Sequence, residues 1–348
     1  MRRALAALAA VLLTAALTSA APVSAAPEPA VAKWTTEVFS SVPAPGYPAY
    51  VHAHTNGRVY AGSYIAGSST MASRVFEWSR EGVLLRSWTV PGQVLDADHG
   101  VQVANQTRDG LLVLLETSTR TVQTLDTRTG RFRVIATFPE GAVPNYATWG
   151  PGGALYVTDY AQPIIWRLGR KDRTPQEWFT STALSGAEFG TTGLRYRPAE
   201  RDLVIAQQWV LDGTQLPVNG AVYSLPIAPG GAPGELAKLW TSGPMELPDG
   251  FGIGRSGHLY VSLLGTNQLV ELSAEGEEVD RFPDTPLAGD NGSAIAFDTP
   301  CSATFLGTTV LVANQSAITG TAGNQAILQV EVGERGQAAY LPKLALLR

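Results

Sequence analysis

Six times along the chain a turn rich in glycine or polar residues is followed by an apolar segment of Leu-Tyr-Val character. This internal repeat limits the available folds more than any other feature. Its copies are Gly57–Gly62, Gly110–Leu114, Gly153–Thr158, Arg201–Ala206, Gly257–Ser262 and Gly307–Ala313. Counted from residues 57, 110, 153, 202, 257 and 307, the spacings are 53, 43, 49, 55 and 50 residues. A period of that length, with room for four short strands, is that of a propeller blade, because one blade cannot bury its faces without neighbours. The pattern predicts an all-β fold, a six-bladed β-propeller with four-stranded blades around a central channel. In the third copy, 145–150, 155–160, 164–168 and 176–180 read as strands from the axis outward. In the fifth copy, 250–254, 259–263, 268–272 and 278–282 do the same. A ring must also close, and two segments could complete the last blade beside Ala326–Val332: Trp34–Phe39 near one end or Ala338–Leu346 at the other.

The first residues stand apart from this pattern. Arg2 and Arg3, an apolar run from Ala4 to Leu17 and the small-x-small triplet Val23-Ser24-Ala25 read as a secretory signal peptide over residues 1–25, cleaved after Ala25. A short linker, 26–33, then leads into the propeller, 34–348. The expectation is a secreted, extracellular and monomeric protein. No later stretch approaches the ~18 apolar residues of a spanning helix, so a membrane is not an expected partner. Lysine occurs only at 33, 171, 238 and 343, and this arginine bias points to a bacterial source. The net charge of −5 carries no basic stripe, which argues against nucleic acid as a partner. Cys301 is the single cysteine, so there is no internal disulfide and no CxxC metal knuckle, and the residue reads as a small buried hydrophobe.

Gly252-Ile253-Gly254-Arg255-Ser256-Gly257 matches G-x-G-x-x-G, but the dinucleotide fingerprint needs a helix after it. Here the apolar run His258-Leu259-Tyr260-Val261 follows, so the motif reads as an inner strand and a hairpin. Because each blade repeats one path, the residue leading into each innermost strand should face the same mouth of the channel. Those positions read as Ala49, His99, Asn145, Thr192, Asp249 and Ser293.

At these positions the chain resembles the gluconolactonase, senescence-marker and luciferin-regenerating-enzyme family of six-bladed propellers. Val143-Pro144-Asn145-Tyr146, Thr191-Thr192-Gly193-Leu194 and Leu247-Pro248-Asp249-Gly250 carry the likeness, each leading toward a Leu-Tyr-Val-type segment. The resemblance implies a Ca²⁺ held by a first-blade Glu, third- and fourth-blade Asn and a fifth-blade Asp. Carried over, the metal ligands are Asn145, Asp249 and, as a poorer substitute for Asn, Thr192. Ala49 stands where the Glu would be and offers no ligand atom. Glu188, Glu246 and Asp98 are the nearby carboxylates that could compensate. Asp98-His99-Gly100-Val101 also resembles the His-Gly lead-in of the paraoxonases, which implies His99, with Asp249, as a catalytic group. His52, His54 and His258 lack a third ligand and read as structural.

Two functions follow from these residues. One is Ca²⁺-assisted hydrolysis of a lactone or related ester at the channel mouth. The other is a non-catalytic or metal-free propeller, similar to the strictosidine-synthase-like proteins, that captures a small molecule or a cell-envelope ligand.

Overall fold

Alternating apolar segments punctuated by positive-φ glycines build a structure that is almost entirely antiparallel sheet. The structure, a computed structural model, describes residues 31–186, 190–211 and 219–347. The proposed leader and Glu188 lie outside the described residues. Among the described residues, helix is confined to three short 3₁₀ turns, and no helix is long and apolar enough to cross a membrane.

The strands form six antiparallel four-stranded sheets. Those of blades 1 and 2 are joined where Tyr64 and Ile65 pair with Gly100 and His99. The innermost strands are Pro48–Ala53, His99–Gln106, Pro144–Trp149, Thr191–Arg197, Pro248–Ile253 and Pro300–Leu306. Each packs against the next, and the sixth packs against the first, which closes the ring. Blade 3 continues outward as Leu155–Asp159, Ile164–Leu168 and Gln176–Thr180, and blade 5 as Leu259–Leu263, Gln268–Leu272 and Glu278–Phe282. The glycine-rich match at 252–257 is the end of an inner strand and its hairpin, as its surroundings predict.

Between neighbouring sheets lies the apolar core. Val113 and Leu115 of blade 2, for example, pack with Trp149, Leu155 and Val157 of blade 3. Each such side chain, fully buried, contributes about 1.5–3 kcal/mol. Thr36–Ser41 pairs with Ala326–Glu331, so the N-terminal segment supplies the outermost strand of blade 6 and covers its edge.

The C-terminal segment has a different task. It crosses the end of the channel where the inner strands finish. Gly336 bridges Gly254, and Gln337 N–H donates to the Ile253 carbonyl (2.8 Å). Further on, the Tyr340 ring packs on that of Tyr196, tilted by 58° with centroids 4.8 Å apart, and Ala345 and Leu347 enter the core beside Trp149.

Candidate functional site

All six inner strands run from one end of the channel to the other, and they place two rings of side chains three residues apart. At the mouth stand Ala49, Gln102, Asn145, Thr192, Asp249 and Cys301, around a cavity of about 100 Å³. At the far end stand His52, Asn105, Thr148, Arg195, Gly252 and Thr304, around a cavity of about 300 Å³.

In five of the six inner strands a bulge lies at or beside the mouth residue, and in blade 2 it falls farther on, between Val103 and Asn105. The register of blades 1, 3, 4, 5 and 6 shifts beside Tyr50, Asn145, Thr192, Asp249 and Cys301 respectively. The last residue of the Leu-Tyr-Val-Thr/Ser repeat pins that bulge in two blades. Thr158 Oγ1 accepts from Tyr146 N–H (3.0 Å), and Ser262 Oγ donates to the Gly250 carbonyl (2.8 Å). Asp159 secures the turn before Asn145, accepting from the N–H groups of Val143, Ala161 and Gln162 and from the Trp166 indole. Residue 250 has to be glycine, because a Cβ there would lie 2.8 Å from Ser302 Cα and 2.9 Å from Tyr50 Cε1.

The structure thus brings Asn145, Thr192 and Asp249 together and leaves His99 out. The inner strand of blade 2 is eight residues long, and its first residues pair with blade 1 before it reaches the channel, so Gln102 occupies the ring position. His99 is fully buried away from that cavity, with Nδ1 2.8 Å from the Ala97 carbonyl and Nε2 3.0 Å from the Met71 carbonyl. Neither nitrogen presents a lone pair to the mouth, so the general-base assignment of His99 is corrected. Ser293 is likewise replaced, because the inner strand of blade 6 starts at Pro300 and puts Cys301 in the ring. The Cys301 thiol is pushed well up by burial and by the charge of Asp249, which fits a packing role.

Tyr50, one residue beyond Ala49, occupies the centre of the mouth. Its hydroxyl is 2.5 Å from Asn145 Oδ1 and 2.9 Å from Asp249 Oδ1. Gln208 Nε2 donates to Asp249 Oδ2 (2.9 Å), and Tyr160 in turn donates to Gln208 Oε1 (2.9 Å). Burial lifts Asp249 from 3.8 to about 7, against hydrogen bonds from Tyr50, the Gly250 N–H and Gln208 that favour the carboxylate. The phenol has one proton and two oxygens facing it. With Asp249 protonated both contacts are satisfied, Asp249 donating to Tyr50 and Tyr50 donating to Asn145.

Tyr50, Gln208 and Tyr160 escaped the sequence reading. The last two follow directly on the second strands of blades 3 and 4, at the positions that Leu264 and Gln315 hold in blades 5 and 6. Extending the ring alignment from the first strand to the second would have found them.

This arrangement does not fit a Ca²⁺ bound by Asn145 and Asp249. Such an ion takes six to eight oxygens at about 2.3–2.6 Å. Here the Tyr50 hydroxyl stands between the two would-be ligands, Ala49 offers no oxygen, and Thr192 Oγ1 lies on the Pro248 (3.3 Å) and Ala206 (3.5 Å) carbonyls. The compensating acids are engaged elsewhere. Glu246 pairs with Arg281 (2.6 Å) and Asp98 accepts from the Gly67 N–H. His258, Glu271 and Glu334 on blades 5 and 6 do bring three ligand atoms within 4.8 Å of one another. Their oxygens already accept from Lys33, Tyr260 and Ser256, a network that ties the N-terminal segment to blade 5.

No family profile and no curated protein matches the chain. Solved structures do. A calcium-binding regucalcin from Agrobacterium tumefaciens aligns at 14% identity and a TM-score of 0.61 over 89% of this chain and 96% of that one. A gluconolactonase from Xanthomonas campestris aligns at 17% identity and 0.53 over 84% and 98%. The fold is that of the gluconolactonase-like propellers. A catalytically inactive variant of virginiamycin B lyase from Staphylococcus aureus, solved with quinupristin, aligns at 16% identity and 0.55 over 83% and 82%. At these identities the likeness establishes architecture, and the chemistry has to be argued from the site itself.

Proposed function

We propose that the chain is a secreted hydrolase of lactones or related esters that works at the channel mouth without Ca²⁺. The observation that carries this reading is a single buried carboxyl group, Asp249, whose two oxygens face Tyr50 and Gln208 in a cavity rimmed by the half-buried Tyr64, Tyr160 and Leu264. A carboxyl poised near neutral pH accepts a proton in one step and returns it in the next. As the carboxylate, Asp249 takes a proton from the attacking water. As the acid, it gives that proton to the departing alkoxide. Tyr50 and Asn145 hold the carboxyl in place, and a phenol of Tyr50 or Tyr160 that turns from its present acceptor supplies the hydrogen bond to the developing oxyanion. Secretion is supported by the leader pattern of residues 1–25, and the narrow polar mouth supports a small-molecule substrate.

One observation favours the other reading, a metal-free propeller that binds a ligand and leaves it unchanged. The mouth cavity of about 100 Å³ is smaller than the ~300–1,000 Å³ of most ligand pockets. A lactone and ester panel assayed with excess chelator decides between them. Turnover that survives chelation and is lost in Asp249→Asn is expected. Turnover that needs Ca²⁺, or no turnover of any member, would overturn the proposal, and the second of these outcomes selects the binding reading.

A further inference from the structure

The far end of the channel has the makings of a second site. Its cavity is about three times the volume of the mouth, and residues 335–340 of the C-terminal segment form one wall. Arg195, Arg255 and Arg335 line it, and no aspartate or glutamate does among the described residues. Arg195 is half-buried at the end of the inner strand of blade 4, with its guanidinium 4.5 Å from the centre of the Tyr146 ring. Its hydrogen bonds go to neutral oxygens only, from Nη1 to the Leu194 carbonyl (3.3 Å) and from Nη2 to Thr304 Oγ1 (3.1 Å). Among the described residues, none of the three arginines has a carboxylate within ion-pair distance. The nearest acid in sequence, Glu334, is held by Ser256 and Tyr260. His52 adds no charge at neutral pH, since burial, with His54 and Arg195 acting in the same direction, pushes it down to about 3.

A partly desolvated guanidinium without a counter-ion is unfavourable unless an anion completes it, and its planar fork matches a carboxylate. Tyr146, Tyr196, Phe305 and Tyr340 supply aromatic walls around it. We propose that the far cavity binds a small organic carboxylate with an apolar or aromatic body, its carboxylate on Arg195 and its body against the aromatic walls. Arg255 and Arg335, both exposed at the rim, attract the anion and add to its hold.

Calorimetric titration of the full-length protein with benzoate tests this, with benzamide as the neutral isostere and inorganic phosphate as the anion without an apolar body. Saturable benzoate binding with no measurable benzamide or phosphate binding is expected. Arg195→Gln should weaken benzoate roughly 10- to 100-fold. Should that variant fail to fold, the exposed double change Arg255→Gln/Arg335→Gln decides, with a several-fold loss that shrinks in high salt expected. Asp249→Asn should leave benzoate binding intact, which separates this site from the mouth. Equal binding of benzoate and benzamide, binding of phosphate alone, benzoate affinity untouched by loss of the arginines, or its loss in a folded Asp249→Asn protein would each overturn the proposal.

Discussion

The two ends of the channel are built from the same six strands, three residues apart, and they reach opposite electrostatic solutions. At the mouth one acid is buried among phenols and amides, and the groups satisfy one another: Asp249 with Tyr50 and Gln208, Tyr50 with Asn145, and Gln208 with Tyr160. At the far end a guanidinium is left with neutral partners in a larger space. A closed network of neutral and protonatable groups suits proton transfer. An open cationic pocket suits the capture of an anion. Side-chain choice at two adjacent rings therefore separates two chemistries within one pore.

The largest effect that would sharpen this contrast is at Asp249. Replacing it with Asn keeps the shape and removes the proton acceptor, so lactone or ester turnover should fall by roughly 10²–10⁴. In the unaltered protein, kcat/KM should rise with pH through about 7 as Asp249 ionises. A flat pH profile would break the assignment.

Folding stability should carry the same contrast in its pH dependence. Asp249 is raised in the folded chain, from 3.8 to about 7, so the folded state keeps a proton that the unfolded state has released over that range. Its contribution is fully present below about pH 4 and is lost as pH rises through 7, amounting to roughly 4 kcal/mol. His52, lowered from 6.5 to about 3, acts the other way: it has no effect above about pH 6.5 and destabilises increasingly as pH falls toward 3. Denaturant unfolding at pH 4.5 and 7.5 should therefore show Asp249→Asn shifting the balance toward higher pH. An Asp249→Asn protein with an unchanged pH dependence would contradict the buried acid.

A smaller effect is expected at Tyr50. Tyr50→Phe leaves Asn145 Oδ1 and Asp249 Oδ1 facing no phenol, at a cost of about 1–3 kcal/mol in unfolding free energy. Smallest of all is the response to calcium. The thermal midpoint with saturating Ca²⁺ should equal that with chelator, because Tyr50 fills the place between the two retained ligand positions. A clear rise would restore the ion to the mouth.

The blade plan was legible because it is a one-dimensional signal. The Leu-Tyr-Val repeat sets the strand period, and the three outer strands of blade 5 fall at 259–263, 268–272 and 278–282 as the repeat predicts. Ala49, Asn145 and Asp249 were legible for the same reason, each standing eight residues before its turn glycine at 57, 153 or 257, and Thr192 stands ten before Asp202. His99 was read in place of Gln102, which keeps the eight-residue offset from Gly110, and Ser293 in place of Cys301, which stands only six residues before Gly307. The inner strand of blade 2 begins early to pair with blade 1, and that of blade 6 begins late.

By itself, then, the sequence determined the number of blades, their strand order and four of the six mouth residues, Ala49, Asn145, Thr192 and Asp249, because local alternation and a fixed repeat length carry that information. Only the tertiary structure decided that the N-terminal strand closes the ring and the C-terminal segment crosses the far end, that Tyr50 stands between Asn145 and Asp249, and that Arg195 meets no acid. Those outcomes depend on bulges and on contacts between residues some 50 to 300 positions apart, which no local pattern specifies.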